Sequence, residues 1–291
     1  MLGILSLAIL GAAAAPLTCE SLTNVRLQQA TITSASVVPA GPFVQTGAAR
    51  GRQGAAPEAV EPIPEHCRVK MVLKPTSDSN INVELWMPTA NWNGRFLAVG
   101  NGGFAGSIQG YADMQIALRR GYATAATDTG HSDADGPGGM FGLGHPEKIV
   151  DFAYRAIHEM TVKSKQVIDE FYDRAPRFSY FKGCSTGGRQ AAMAAERFPE
   201  DFDGTIGGAL ANRHIQMHTA GVARSIDLAR HPERTIPEEK AKLVNDTVMN
   251  ACDTLKEGFL NNPRECKVDF SKLACTGADS PSCLTAPQLR T

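Results

Sequence analysis

The stretch KGCSTGGRQAAMAAERFPEDFDGTIGGAL, residues 182–210, contains a G-x-S-x-G run with Ser185 at its centre. An apolar, strand-like run, FSYFKG, precedes the serine, and an alanine-rich helical pattern follows it and ends before Pro199. In a nucleophile elbow a serine occupies a sharp turn between a strand and a helix. The flanking residues are small because the turn leaves no room for side chains. The sequence therefore predicts a nucleophile elbow with Ser185 at its tip.

A second glycine-rich stretch, RFLAVGNGGFAG at 95–106, allows two interpretations. In the first, Gly102 or Gly103 supplies a backbone N–H that stabilises an oxyanion, together with the N-terminus of the helix after the serine. In the second, the G-x-G-x-x-A pattern at 100–105 binds a dinucleotide, and Asp128 at the end of the next strand-like run binds its ribose. The second interpretation is disfavoured because the pattern makes a poor start to a helix and Asp128 comes later than the usual spacing.

The rest of the chain up to residue 210 alternates strand-like and helical patterns. Strand-like runs lie at 67–75, 81–88, 95–100, 123–131, 178–183 and 204–210. Helical spacing of apolar residues predicts helices at 112–120, 147–172 and 188–198. This alternation predicts an α/β fold with a mostly parallel sheet after an initial strand pair. Residues 211–291 differ, because they carry a helical patch at 238–255, a cysteine-rich tail and no buried strand.

The composition and the N-terminal sequence indicate which partners the protein has and whether it is exported. The 29 basic and 30 acidic side chains leave a net charge of −1, which argues against nucleic acid or an anionic membrane as the main partner. Residues 1–15 combine a short apolar run with an A-x-A pattern, as in a secretory signal, although a buried N-terminal helix is the alternative. In an exported protein the seven cysteines are expected to pair, which leaves one over.

A serine nucleophile needs a base and an acid, which on this type of fold follow the serine, each at the end of a later strand. The histidines after Ser185 are His214, His218 and His231, and no strand-like run carries any of them. Asp201 precedes them but lies just beyond the predicted elbow helix. The catalytic acid and base are therefore not visible in this sequence.

The motifs GCSTGGRQ and RFPEDFDG resemble those of the tannase and feruloyl esterase family of secreted serine esterases, which includes mono(hydroxyethyl) terephthalate hydrolases. The stretches WNGRFLAVGNGGFAG, GYATAATDTGH and DFAYRAIHEMTVKSKQVI match the same family in the same order. The resemblance implies an α/β-hydrolase core with a lid inserted after the sixth strand. It also implies a carboxylic ester hydrolase that acts on small aromatic esters, of the galloyl or feruloyl type, through a serine acyl-enzyme. No cofactor is implied for catalysis.

The resemblance further implies roles for individual residues. Ser185 is the nucleophile, and the backbone N–H groups of Thr186 and Gly103 are the oxyanion donors, with Gly102 as the alternative to Gly103. Cys184 takes the place of a family cysteine that bonds a cysteine beside the catalytic histidine. The other six cysteines are expected to form the pairs Cys19–Cys67, Cys252–Cys266 and Cys275–Cys283.

The chain stops before the family pattern does. On this comparison residues 16–210 are the N-terminal part of the core and residues 211–291 are the start of a truncated lid domain. The catalytic aspartate and histidine are then expected beyond Thr291, so the α/β-hydrolase core is C-terminally incomplete. A non-catalytic binding or decoy fragment is the alternative function, and a dinucleotide-dependent oxidoreductase is a further one. We expect the isolated chain to be secreted, poorly soluble and inactive.

The family's lid also carries a calcium loop between two cysteines, which the resemblance places at 252–266. Asp253 matches the first carboxylate, Glu257 a later one and Phe259 a carbonyl donor, and oxygen ligands suit this hard cation. The Asp-Gly-x tripeptide that the family has between these matched positions is absent from this chain. Calcium is therefore expected to bind weakly or not at all, and the alternative is a disulfide-closed surface loop.

Overall fold

The computed structural model describes residues 17–43 and 61–291. These residues form two compact units, of which the first ends at Asn212 and the second runs from Arg213 to Thr291. The signal predicted for residues 1–15 lies outside the described residues. No helix in the described part of the chain is long and apolar enough to cross a membrane.

A seven-stranded sheet forms the centre of the first unit, in the order β1-β2-β3-β5-β4-β6-β7. Strands β1 to β3 and β5 pair antiparallel, whereas β5, β4, β6 and β7 pair parallel. The strands are β1 Ala30–Val38, β2 His66–Leu73, β3 Ile81–Pro88, β4 Arg95–Val99, β5 Ala123–Thr127, β6 Phe178–Cys184 and β7 Gly204–Gly208.

The sheet differs from the sequence prediction in two respects. The prediction of parallel strands after an initial strand pair holds for β4 to β7, but three of the six pairings are antiparallel, because β1 adds a further strand to the initial pair and β3 pairs antiparallel with β5. Strand β1 was not predicted from the sequence; it is an edge strand in which only Ile32 and Ala35 are buried. An edge strand packs one face on the core and needs few apolar residues, so its pattern is weak.

The α-helices of the first unit are α1 Tyr111–Arg119, α2 Pro146–Val150, α3 Ala156–Tyr172 and α4 Thr186–Arg197. The predicted helices at 112–120 and 188–198 are thus confirmed as α1 and α4, with small differences at their ends. The helix predicted at 147–172 is divided, because a π-helical turn, Asp151–Arg155, separates α2 from α3. Short 3₁₀ turns lie at Glu20–Asn24, Asp133–Asp135 and Gly138–Gly142.

The second unit contains α5 His214–Arg230, α6 Glu238–Cys252 and 3₁₀ turns at Pro232–Arg234, Phe270–Leu273 and Gln288–Arg290. Residues 213–291 contain no strand, only a bridge between Ala274 and Leu284. Disulfides join Cys252 to Cys266 and Cys275 to Cys283. In the first unit Cys19 is bonded to Cys67, and Cys184 is free and exposed.

A histidine on α3 makes the stability of the first unit depend on pH. His158 Nδ1 lies 2.8 Å from Asp201 Oδ2, and this hydrogen bond raises the pKa of His158 above its usual 6.5. The stabilisation is complete below the unfolded pKa and is lost as the pH rises through the raised folded pKa. We expect the melting temperature to fall more steeply between about pH 6 and 8 in the unaltered protein than in His158→Gln. Parallel curves in a fluorescence melting series would contradict this.

Candidate active site

Ser185 lies in the turn between β6, which ends at Cys184, and α4, which begins at Thr186. Its backbone has φ 60° and ψ −118°, a conformation that a residue with a side chain rarely adopts. The surrounding structure holds this strain, because Ser185 N donates to Gly208 O at 3.0 Å and Ser185 O accepts from Arg189 N at 3.1 Å. A strained serine between a strand and a helix is the geometry of a nucleophile elbow.

The glycines around Ser185 are required by close backbone approaches. A Cβ atom at Gly183 would lie 2.5 Å from the carbonyl carbon and oxygen of Gly187. A Cβ at Gly188 would lie 2.2 Å from Gly208 O on the neighbouring strand β7. Gly187 itself packs against the loop after β4. A Cβ at Gly187 would lie 3.0 Å from Asn101 O in that loop. The elbow therefore needs glycine because three backbone segments meet there.

The loop after β4 is bound directly to the elbow helix. Gln190 Oε1 accepts from Asn101 N at 3.0 Å, and Gln190 Nε2 donates to Asn101 Oδ1 at 3.2 Å. Gly187 N donates to Asn101 O at 2.7 Å, and Thr186 Oγ1 donates to Gly103 O at 2.6 Å. Asn101, Gln190 and Thr186 are all buried. These contacts place Gly103 against the turn that carries Ser185.

The structure distinguishes between the two candidate oxyanion glycines. Gly102 N donates to Gln109 Oε1 at 2.8 Å, so this N–H already has a partner. Gly103 has φ 55°, and a Cβ there would meet nothing within 4 Å, so open space surrounds it. Thr186 is the first residue of α4, where a helical N–H has no partner within the helix. This geometry favours Gly103 over Gly102 as the donor that acts with Thr186.

Arg189 fixes the other side of the elbow helix. Its guanidinium donates to Ala153 O at 2.7 Å and to Phe152 O at 3.1 Å, and lies 4.9 Å from the Phe152 ring centre. Both carbonyls belong to the π-helical turn, which departs from the regular hydrogen bonding of an α-helix. Arg189 therefore binds α4 to this turn. Burial lowers the pKa of Arg189. The roles of Arg189, Gln190 and Asn101 were not predicted from the sequence, although all three lie within the GCSTGGRQ and WNGRFLAVGNGGFAG motifs.

The four histidines of the first unit have other partners than Ser185. His66 Nδ1 lies 3.0 Å from Pro64 O, and His145 Nδ1 lies 2.8 Å from Asp78 Oδ1. His158 pairs with Asp201, as described above. His131 stacks on Phe141 with ring centres 3.7 Å apart, beside Thr129 Oγ1. No described histidine of the first unit is therefore placed as the base of Ser185.

The glycine-rich loop does not have the geometry of a dinucleotide site. Helix α1 begins only at Tyr111, whereas a dinucleotide fingerprint opens a helix directly. Gly100 approaches the elbow, because a Cβ there would lie 2.7 Å from Gly187 Cα. Asp128 is buried and accepts hydrogen bonds from Asn82 N, Asn82 Nδ2 and Gly130 N. Burial raises the pKa of Asp128 to about 6. Its carboxylate thus joins the ends of β3 and β5.

The loop at 252–266 binds its own backbone. Asp253 Oδ1 accepts from Glu257 N at 3.0 Å, and Asp253 Oδ2 accepts from Gly258 N at 2.8 Å. Glu257 Oε2 accepts from Asn261 Nδ2 at 2.9 Å. These bonds leave lone pairs on both carboxylates, so the fit to calcium depends on how many oxygen ligands the loop supplies. With the Asp-Gly-x tripeptide absent, only Asp253 and Glu257 remain of the matched carboxylates, a poor fit to an ion that takes about 6–8 oxygen ligands.

We expect no tight calcium binding by this loop, because the Asp-Gly-x tripeptide is absent and only Asp253 and Glu257 remain of the matched carboxylates. Titration calorimetry with CaCl₂ on chelator-treated protein should give a dissociation constant of about 10⁻³ M or weaker. Asp253→Ala should leave the heat signal unchanged. Tight binding that this substitution removes would contradict the expectation and make the loop a calcium site.

Together, the mixed sheet and the strained serine turn between the parallel strand β6 and helix α4 define an α/β-hydrolase fold. Feruloyl esterase B from Aspergillus oryzae has a similar crystal structure, with a TM-score of 0.78 and 33% sequence identity over 94% of this chain and 54% of that one. A tannin acyl hydrolase from Aspergillus niger shares the fold, with a TM-score of 0.52 over 79% of this chain and 42% of that one.

The family model for tannase and feruloyl esterase matches residues 67–291, and the chain belongs to this family. An uncharacterized esterase of Xanthomonas campestris pv. campestris is 39% identical over 98% of this chain and 48% of its own length. Feruloyl esterase B of Aspergillus niger is 33% identical over 98% of this chain and 55% of its own. The chain thus spans about half the length of the curated relatives it matches.

Proposed function

We propose that this chain carries the nucleophile of a secreted carboxylic ester hydrolase that acts on small aromatic esters. The observation that supports this most directly is the strained Ser185 turn with the Gly103 loop bound to its helix. Ser185 Oγ attacks the ester carbonyl, and the N–H groups of Thr186 and Gly103 stabilise the oxyanion. The alcohol leaves, and water then releases the acid from the acyl-enzyme.

The base that activates Ser185 comes from outside the four histidines of the first unit, since these have other partners. Aromatic acids are proposed as the acyl groups because the matched relatives are named feruloyl esterases. Secretion is proposed because three disulfides persist only in an oxidising compartment.

Reaction with a fluorophosphonate ester tests the assignment of the nucleophile. A chimera in which residues 1–291 are followed by the C-terminal half of the Xanthomonas relative should be labelled on Ser185, as read by peptide mass spectrometry, and should hydrolyse methyl ferulate or methyl gallate. The 291-residue chain should not turn over either ester, because an unassisted serine hydroxyl is a weak nucleophile. Labelling of a folded chimera at another residue, or none, would overturn the proposal.

Gln190 tests whether the bound loop matters for catalysis. In the chimera we expect Gln190→Leu to lower kcat by about 10- to 100-fold with little change in KM, since a displaced oxyanion donor acts on the transition state. Gln166→Leu, the same change at an exposed position on α3, is the control. Equal kcat values for the two variants in steady-state assays would show that Gln190 does not position the loop.

A further inference from the structure

The loop between β4 and α1, residues 100–110, is closed by a side chain near its end. Gln109 Oε1 accepts from Gly102 N at 2.8 Å, so the amide of Gln109 links two parts of the loop that are seven residues apart. Gln109 and Gly102 are both half-buried, whereas Gly103 is exposed. The half-buried N–H of Gly102 thus has a partner inside the loop, and the next residue along the chain lies at the surface.

The residue that follows Gln109 has a fixed position. Helix α1 begins at Tyr111, and Gly110 before it has φ 83°. A Cβ at Gly110 would lie 2.5 Å from Val99 Cγ1, so the chain passes directly over the last residue of β4. Gly110 O accepts from Met114 N at 3.0 Å, and Met114 is fully buried. Gln109 therefore extends from backbone that the sheet and the helix hold in place.

Gly102 begins a tight turn whose geometry sets the direction of the Gly103 N–H. Ala105 N donates to Gly102 O at 3.0 Å. This bond closes a β-turn with Gly103 and Phe104 at its centre. The peptide between Gly102 and Gly103 is trans, so the C=O of the first and the N–H of the second point in opposite directions. Because that C=O points into the turn, the N–H of Gly103 points out of it.

We propose that Gln109 is a positioning residue for ester hydrolysis, an inference that rests on the function proposed above. Gln109 binds the N–H of Gly102 and so holds the turn in the orientation in which the N–H of Gly103 faces the oxyanion formed at Ser185. A backbone donor has no rotamers of its own, so its alignment depends on the groups that hold the turn. Without the Gln109 oxygen, the N–H of Gly102 needs another partner, and the turn rotates to provide one.

Gln109→Met in the chimera removes the acceptor and keeps a side chain of similar length. We expect kcat on methyl ferulate to fall by about 10- to 100-fold with little change in KM, since a misaligned oxyanion donor acts on the transition state. An aryl trifluoromethyl ketone, which forms a hemiketal oxyanion with the serine, should bind more weakly by a similar factor. A partly unfolded variant would lower kcat but not the affinity of its folded molecules for the ketone. Gln166→Met, at an exposed position on α3, is the control and should match the unaltered chimera in both measurements.

Hydrogen exchange tests the anchoring of the turn independently of activity. In the 291-residue chain, mass spectrometry with fragmentation that resolves the Gly102 amide should show exchange about tenfold faster in Gln109→Met, because the N–H has lost its acceptor. Gln109→Glu keeps an oxygen that accepts this N–H, so its Gly102 amide should exchange as slowly as in the unaltered chain.

The outcomes separate the role of Gln109 from the proposed function. Unchanged exchange in Gln109→Met, exchange in Gln109→Glu as fast as in Gln109→Met, or unchanged kcat and ketone affinity in an active Gln109→Met chimera would overturn the role of Gln109 alone. A chimera that keeps Gln109 but is neither labelled at Ser185 nor active would instead refute the proposed function, and the catalytic role of Gln109 with it.

Discussion

Replacing Ser185 with alanine is expected to abolish ester hydrolysis by the chimera of family length. Removal of a serine nucleophile from a catalytic triad lowers kcat by about 10⁶-fold, because the acyl-enzyme route is lost and only the oxyanion donors and substrate binding remain. The substitution removes one oxygen and adds no bulk at an exposed turn, so the fold should be preserved. Initial rates on methyl ferulate, with the circular dichroism spectrum as the measure of folding, provide the measurement.

Ser36 provides the matched control, because it is an exposed serine on the edge strand β1. Ser36→Ala should hydrolyse the ester at the unaltered rate. Ester turnover by folded Ser185→Ala that exceeds about one thousandth of the unaltered rate would show that another residue is the nucleophile. In that case the elbow geometry would have only a structural role.

Gly188→Ala is expected to destabilise the first unit strongly. Its new Cβ would lie 2.2 Å from the backbone oxygen of Gly208, and no rotamer change can move either atom, because the backbone fixes the position of a Cβ. Helix α4 and strand β7 would have to separate, which we expect to lower the free energy of unfolding by roughly 3 kcal/mol, even though alanine favours a helix by about 1 kcal/mol over glycine. For a unit of this size the melting temperature should fall by roughly 6–12 °C.

Gly208→Ala is the control on the other side of the same contact. A Cβ at Gly208 would lie 3.7 Å from Cys184 Sγ, which is an ordinary van der Waals distance. Thermal melts of the 291-residue chain followed by circular dichroism should therefore show a much smaller change for Gly208→Ala. Two variants that melt together would mean that the backbone around Gly188 yields easily, contrary to the close packing of the elbow.

Local sequence signals predicted most of the first unit. Six of the seven strands and helices α1 and α4 were recognised because each is short and its pattern depends on neighbours within the element. The elbow was recognisable for the same reason, since strand, turn and helix follow one another directly around Ser185. The antiparallel pairing of β3 with β5 was not predictable from such patterns, because strand order is decided by contacts between distant segments.

The sequence alone thus identified Ser185 as the candidate nucleophile and Gly102 and Gly103 as the candidate oxyanion donors. Only the tertiary structure provides a reason to prefer Gly103 over Gly102, because Gln109 accepts the N–H of Gly102. It also showed that Gln190 binds Asn101, although 89 residues separate them. No local pattern contains such a contact. The contact between Gln190 and Asn101 forms because the buried side-chain amide of Gln190 needs hydrogen-bond partners. The packing of α4 on the sheet brings the backbone N–H and the side-chain oxygen of Asn101 within reach of it.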